Sequence, residues 1–182
     1  MNVSDKMNIY AVHLEISKYL SRFKEQIKIL NANSEFSINI HSENVLIKVL
    51  NQIYGCDLQN LNYSKDRNYN SIDLGDKELK LSFQITATKN ITKIKETLRK
   101  YIDNGHYKKY DRIKFLILTG RQEKYSFKVV DEIVDGKFKF DINKDVIDLS
   151  TIYVRLNETN DLQKSLAILE LLKSQFFDIQ KK

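Results

Sequence analysis

Two polar residues in the middle of the chain have the types and spacing of a small cation site. Residues 70–88 read NSIDLGDKELKLSFQITAT, and a turn signal separates Asp73 from Gln84 in this segment. From Leu79 to Thr86, apolar and polar residues alternate, which predicts a half-buried strand. If the two halves pair as a hairpin, the carboxylate of Asp73 and the amide of Gln84 project from the same face. Their oxygen atoms are ligands that a hard divalent cation prefers.

A second acidic residue, Glu43, lies on the inward face of a predicted helix. This helix spans residues 42–54 and ends at Gly55, a residue typical of helix C-termini. Glu43 lies one heptad before Leu50, so it shares the apolar stripe of this helix. A buried carboxylate needs a partner or a metal. An acid in the first helical turn also complements the helix dipole, and the sequence leaves both explanations open.

Composition narrows the chemistry that the chain can perform. A single cysteine, Cys56, excludes an internal disulfide and multi-cysteine zinc sites, and the three histidines are scattered along the sequence. We therefore expect oxygen atoms to hold any metal. The sequence contains no stretch of 18 apolar residues, and its charged N-terminus does not resemble a secretory signal. These features predict a cytoplasmic protein without a membrane segment.

Positive charge is concentrated between Lys89 and Lys128. This segment contains twelve Lys and Arg residues and four Asp and Glu residues, so its net charge is +8, whereas the whole chain carries +6. A basic segment beside an oxygen-rich site is the combination that a phosphate-handling protein needs. Solvated helix surface is the other explanation for these residues. The candidates for nucleic-acid binding are Lys89, Lys93, Lys95, Arg99 and Lys100.

The remaining periodicity predicts the elements that position these residues. Helices are expected at residues 5–30, 92–103, 145–156 and 161–177, and strands at residues 112–119 and 137–142. Residues 127–134 fit a helix or a strand. This order predicts one α/β domain over residues 1–182, with a small mixed sheet and flanking helices. Its parts are an N-terminal helix, a core and C-terminal helices, at residues 1–32, 35–142 and 145–180.

The helix-then-hairpin order and its polar residues resemble the PD-(D/E)xK restriction-endonuclease-like superfamily. More closely, the segments NIHSEN at 39–44, IDLGD at 72–76 and FQITAT at 83–88 are similar to the SMEK domain, which is associated with bacterial anti-phage and conflict systems. The resemblance covers residues 35–105. It implies a restriction-endonuclease-like core and a nuclease that uses Mg²⁺ or Mn²⁺ to act on DNA in bacterial defence.

The resemblance also implies a role for each polar residue. Asp73 would be the principal metal carboxylate, and Glu43 would be an outer or water-mediated ligand. Gln84 would contribute its side-chain oxygen, with help from the backbone carbonyl of Ile85. Asp76, by contrast, is expected to belong to the turn of the hairpin.

The catalytic lysine of the superfamily has no direct counterpart. Thr86 occupies its position, and a hydroxyl cannot carry its charge. Lys80 on the same strand face, or Lys89 and Lys93 beyond the strand, are the candidates to replace it. Thr86 favours the alternative function, a catalytically inactive module that binds nucleic acid or a partner protein.

The N-terminal helix has an apolar stripe that continues for about three heptads. Its members are Ile9, Ile16, Leu20, Phe23 and Ile27. Such a stripe must be buried, because one large apolar side chain left in water forfeits about 1.5–3 kcal/mol. Packing on the same domain, against the C-terminal helix, is one solution. The other is a homodimer, or a defence-system partner protein bound through this helix.

Overall fold

The computed structural model describes residues 3–35, 37–63, 71–126 and 128–175, which form a five-stranded mixed sheet and seven α-helices. The helices are α1 (Val3–Ala32), α2 (Ser37–Tyr54), α3 (Ile91–Asp103), α4 (Lys128–Val134), α5 (Ile142–Asp145), α6 (Leu149–Thr159) and α7 (Leu162–Gln175). The strands are β1 (Gln59–Asn60), β2 (Leu74–Asp76), β3 (Leu81–Thr86), β4 (Arg112–Ile117) and β5 (Val146–Asp148). Within these ranges, no helix is both long enough and apolar enough to cross a membrane.

The strands follow one another across the sheet in the order of the sequence. The pairs β1–β2 and β2–β3 are antiparallel, whereas β3–β4 and β4–β5 are parallel. Parallel neighbours need a crossover connection, and α3 provides the one between β3 and β4. The end of β3 and the start of α3 therefore lie at the same edge of the sheet.

Helices cover both faces of the sheet. The first core packs residues of α1, α2, α6 and α7 against one face, including Leu81, Phe83 and Ile85 of β3. The second core packs residues of α3 and α4 against the other face, including Ile113 and Phe115 of β4. The result is a three-layer α/β/α arrangement. The predicted α/β class, with a mixed sheet and flanking helices, is confirmed.

The strand predicted at residues 137–142 is wrong. Phe138 packs edge-on against Tyr101, with 5.1 Å between ring centroids, and Phe140 packs similarly against Phe115 at 5.8 Å. Both aromatic residues contribute to the second core, yet residues 137–141 have no assigned strand pairing. The alternation of this segment therefore reflects burial without pairing.

The helix predicted at residues 145–156 is wrong in its first part. Residues Val146–Asp148 form β5, and α6 begins only at Leu149. The Asp148 carboxylate accepts a hydrogen bond from the Thr151 N–H at 2.9 Å, and the Asp148 N–H donates to the Thr151 hydroxyl at 3.4 Å. This reciprocal arrangement is a capping box. The spacing of Asp148 and Thr151, three residues apart, is the sequence signal that marks where the strand ends and the helix begins.

The other elements agree in type and differ at their ends. The ambiguous residues 127–134 include α4, which begins at Lys128, while Phe127 lies outside the described residues. Gly55 ends α2 with a left-handed φ of 61°, as its position after the helix predicts. The predicted C-terminal helix corresponds to α7, and its predicted end at residues 176–177 lies outside the described part of the chain.

The first and last helices pack against each other on the first core. α1 contacts α7, α6 and α2. His13 on α1 has its Nε2 atom 2.9 Å from the hydroxyl of Ser165 on α7, and both residues are buried. The five stripe residues Ile9, Ile16, Leu20, Phe23 and Ile27 are at most 6% exposed. The stripe is therefore buried within the chain itself, largely in the first core, as the prediction of packing on the same domain requires.

Phe23 and Tyr10 form a matched pair of aromatic residues on α1, because Phe23 is 2% exposed and Tyr10 is 65% exposed. We expect Phe23→Ala to lower the free energy of unfolding by about 3–5 kcal/mol, since it leaves a cavity in the first core. Tyr10→Ala should change it by less than about 0.5 kcal/mol. Urea unfolding followed by circular dichroism measures both values. Equal effects of the two substitutions would contradict the packing of α1.

Candidate metal centre

Asp73 and Gln84 face each other across the antiparallel pair β2–β3. Leu74 pairs with Phe83, and one step further along the ladder Asp73 lies opposite Gln84. Asp73 precedes β2, yet its N–H donates to the Phe83 carbonyl at 2.8 Å and so continues the ladder. The two side chains meet directly, because the Gln84 Nε2 donates to Asp73 Oδ2 at 2.6 Å.

The Asp73 carboxylate accepts hydrogen bonds at both of its oxygens. Besides Gln84, the backbone N–H of Ile85 donates to Oδ2 at 2.6 Å. The side-chain nitrogen of Asn62 lies 3.4 Å from Oδ1. The Ile85 carbonyl lies 3.3 Å from the Gln84 Nε2. The three metal ligands predicted from the hairpin are Asp73, the Gln84 side chain and the Ile85 carbonyl. They therefore lie within one cluster.

Glu43 reaches the same cluster from α2. Its Oε2 accepts hydrogen bonds from the side-chain nitrogens of Asn62 at 2.9 Å and Asn60 at 3.5 Å, and the residue is 6% exposed. Because α2 begins at Ser37, Glu43 lies in its second turn. The helix dipole acts mainly within the first turn, so that explanation for this acid is wrong.

Burial raises the pKa values of both carboxyl groups. It raises the pKa of Glu43 to about 7, and the negative charge of Asp73 adds to this increase. Burial also raises the pKa of Asp73, although the Ile85 N–H, Asn62, Lys93 and Gln84 act in the opposite direction. A buried acid and a half-buried acid that repel each other are stabilised by a proton or by a cation.

The donor set of the cluster fits a hard divalent cation. Two carboxylates, the Gln84 side chain and the Ile85 carbonyl supply oxygen atoms, and Mg²⁺ usually keeps several water ligands of its own. Among the described residues, no group of three or more His, Cys, Asp and Glu side chains has the arrangement of a metal site. Gln84 presents its amide nitrogen to Asp73. A half-turn of the amide would present the oxygen instead.

Lys93 is a basic residue whose charge acts on the cluster. It lies in the first turn of α3, where its N–H donates to the side chain of the N-cap residue Asn90 at 2.9 Å. The side chain of Lys93 is half-buried, and its positive charge lowers the pKa of Asp73. Lys89, in the loop before α3, is exposed.

Thr86 and Lys80, two further residues of the predicted site, both take part in turns. The Thr86 hydroxyl accepts a hydrogen bond from the Thr88 N–H at 3.1 Å, so it stabilises the turn after β3. Lys80 lies in the turn before β3, exposed and with a φ of 49°, and is not on the strand face predicted from the sequence. Four residues of strand separate Lys80 from Gln84, about 13 Å. The prediction that Lys80 lies on the strand face is therefore wrong.

The other predicted nucleic-acid-binding residues of α3 are farther from the cluster. Lys95 lies about 200° around the helix from Lys93, because each residue turns about 100°. Arg99 and Lys100 are exposed and lie about 9–10 Å further along the axis. Lys89 and Lys93 therefore lie at the N-terminal end of α3, Lys95 lies on another side of that end, and Arg99 and Lys100 lie towards the C-terminal end.

The sequence model of the SMEK domain matches residues 15–157. The chain belongs to the SMEK domain family. The match extends beyond residues 35–105, which carried the resemblance, and it includes Glu43, Asp73, Gln84 and Lys93. No curated protein and no solved structure gave a significant match.

Two asparagines of this SMEK domain were missed by reasoning from the sequence. Asn60 and Asn62 lie in the predicted polar loop, and only the folded chain brings them to Glu43. Asp76, by contrast, lies where the sequence predicts. Its carboxylate accepts hydrogen bonds from the N–H groups of Asp57, Glu78 and Leu79, so it stabilises the turn.

Glu43 should make the stability of the SMEK domain depend on pH. Its folded pKa of about 7 lies above the ordinary value of 4.5, so the folded chain binds this proton more tightly than the unfolded chain. Glu43 therefore destabilises the fold increasingly as the pH rises through this range. Relative to wild type, Glu43→Gln should gain up to about 3 kcal/mol of stability between pH 4.5 and pH 8.

Urea unfolding in EDTA across this pH range measures the effect without divalent cations. Glu78→Gln is the matched control, because Glu78 is an exposed residue in the turn before β3. Its stability relative to wild type should vary little with pH. A pH-independent difference for Glu43→Gln would contradict the raised pKa of Glu43.

Proposed function

We propose that this SMEK domain is a Mg²⁺-dependent nuclease with a restriction-endonuclease-like core that acts on DNA in bacterial defence. The observation that carries the proposal is the hydrogen-bonded cluster of Glu43, Asp73 and Gln84, together with Lys93, whose positive charge lowers the pKa of Asp73. The order α2, β2, β3, α3, β4 also agrees with the order on which the resemblance rests. A buried pair of acids is unfavourable for stability alone, which favours a functional explanation.

In this proposal, Asp73 and Gln84 hold Mg²⁺ or Mn²⁺ with the Ile85 carbonyl, and Glu43 is an outer or water-mediated ligand. The cation would polarise a phosphate and lower the pKa of a bound water. The Ile85 N–H keeps the Asp73 carboxylate oriented through a backbone hydrogen bond. Burial of Glu43 keeps it close to the other ligands and strengthens its interaction with positive charge.

Lys93 takes the part of the superfamily lysine in this proposal. Its positive charge lowers the pKa of Asp73, and this effect supports a role for Lys93 at the reacting phosphate of a bound substrate. An ammonium group at this position stabilises the negative charge that develops during phosphodiester hydrolysis. Lys89 would bind an adjacent phosphate, and Arg99 and Lys100 would extend the contact along α3.

A catalytically inactive module that binds nucleic acid or a partner protein is the second candidate. The hydrogen bonds of the cluster favour it, because the Gln84 amide nitrogen satisfies Asp73 without a cation. The Thr86 hydroxyl is likewise engaged by Thr88. In such a module the basic segment would keep its affinity for phosphates while the acids served only the fold.

Plasmid DNA incubated with purified protein and Mg²⁺ or Mn²⁺ tests the nuclease proposal. Nicking should fall about a hundredfold or more in Asp73→Ala, because the principal ligand is lost. Lys93→Ala should also lose most activity, whereas Lys93→Arg should retain part of it. Lys18→Ala on α1 is the matched control, because Lys18 is an exposed lysine paired only with Glu15. Its activity should equal that of wild type.

Asp73→Asn is measured as a second variant. The Asp73 carboxylate also accepts a hydrogen bond from the Ile85 N–H, so removing the whole side chain can disturb the fold. The thermal midpoint of each variant identifies such a loss of structure. Equal nicking by wild type and both Asp73 variants would indicate a contaminating nuclease. Absent nicking combined with intact DNA binding would instead favour the inactive module.

The basic segment should make DNA affinity depend steeply on salt. If Lys93, Arg99 and Lys100 each neutralise one phosphate, replacing all three by Ala should flatten the log–log slope by about 2–3. The triple variant of Lys18, Lys28 and Lys173 removes the same charge elsewhere and should leave the slope unchanged. Fluorescence anisotropy with labelled DNA at several salt concentrations measures it. A salt-insensitive affinity would show that the segment is solvated surface.

A further inference from the structure

Asn62 lies between the two carboxylates of the cluster. Its side-chain nitrogen is 2.9 Å from Glu43 Oε2 and 3.4 Å from Asp73 Oδ1. An amide nitrogen carries two hydrogens, so one is available for each acid. This neutral group therefore lies between the two carboxylates, at a position where a cation would reduce their mutual repulsion.

The second carboxylate oxygen of Asp73, Oδ2, is also occupied by hydrogen-bond donors. The Gln84 amide and the Ile85 N–H both donate to Oδ2. The backbone donor belongs to the sheet and stays in place when a ligand binds. The amides of Asn62 and Gln84, in contrast, can rotate about their side-chain bonds.

A cation and the Asn62 amide cannot occupy this position together. Mg²⁺ binds a carboxylate oxygen at about 2.0–2.1 Å, so a cation on Asp73 Oδ1 would lie closer to that oxygen than the Asn62 nitrogen does at 3.4 Å. In the orientation that the structure shows, the Asn62 nitrogen faces both carboxylates, and it offers hydrogens and no lone pair, so it opposes a cation at this position. We propose that Asn62 competes with the divalent cation, holding the two carboxylates together in the metal-free protein and leaving when the cation enters.

The surroundings of Asn62 allow this exchange without a change of fold. Its neighbour Leu61 is buried and donates its N–H to the Asp73 carbonyl at 2.8 Å, which anchors the backbone. The Asn62 N–H donates to the Asn60 side chain at 2.9 Å. The Asn62 residue itself is exposed, so its side chain can turn into solvent. This inference rests on the proposed function, because it takes Asp73 as the principal cation ligand and Glu43 as an outer or water-mediated one.

Calorimetric titration with MgCl₂ and with MnCl₂ tests the competition without an activity assay. Asn62→Ala should bind each cation about tenfold more tightly than wild type, since the cation no longer has to displace a hydrogen bond to charged groups. Asn62→Asp replaces the amide by a third carboxylate of the same shape. It should bind more tightly still, and its thermal midpoint in EDTA should fall below that of wild type.

Asn33→Ala is the matched control, because Asn33 is an exposed asparagine just after α1 whose side-chain amide donates to the Ile29 carbonyl at 2.9 Å. Its cation affinity should stay within about twofold of wild type, below the effect of a well-formed hydrogen bond. Weaker or unchanged binding by Asn62→Ala, with wild type still binding, would overturn the competition alone. No binding of either cation by wild type and both Asn62 variants would overturn the metal site and with it the proposed function.

Discussion

The pairing of Asp73 with Gln84 across β2 and β3 is the constraint on which the polar cluster depends. A slip of one residue would turn Gln84 to the opposite face of the sheet and bring an apolar neighbour into its place. Packing against Gly75 opposes such a slip. A Cβ atom at Gly75 would lie only 2.7 Å from the hydroxyl of Tyr110, so a residue with a side chain does not fit there. The glycine between the two strands therefore helps to set the position of the carboxylate.

The cluster joins the two layers that cover the sheet. Asp73 and Gln84 belong to the hairpin, Glu43 comes from the layer of the first core, and Lys93 begins the helix that covers the second core. Opposite charges thus come from opposite layers and meet at one edge of the sheet. Their balance depends on the packing of both layers, since each buried acid has little contact with solvent.

Strict periodicity explains what could be predicted from the sequence. The alternation in β3 indicates which of its residues share a face with Gln84, and the heptad spacing of α2 turns Glu43 inward. The start of α2 was missed, because Ile38 and Ile40 alternate with polar residues in a pattern that does not have helical period. The alternation of β3 extends back to Leu79 in the sequence. The left-handed turn at Lys80 therefore could not be recognised from the pattern. Asn62 could not be predicted, because its contacts join three segments that are distant in sequence.

The packing of α1 on α7 has a consequence for the order of folding. The His13–Ser165 contact joins residues 152 positions apart, whereas the second core draws on residues from Leu61 to Val146. Closing a longer loop costs more chain entropy, and high contact order slows folding. We therefore expect the second core to form early and the layer with α1 and α7 to dock late, an order that native-state hydrogen exchange can examine. Because Glu43 belongs to that late layer, the two acids would meet only as the last large surface of the domain closes.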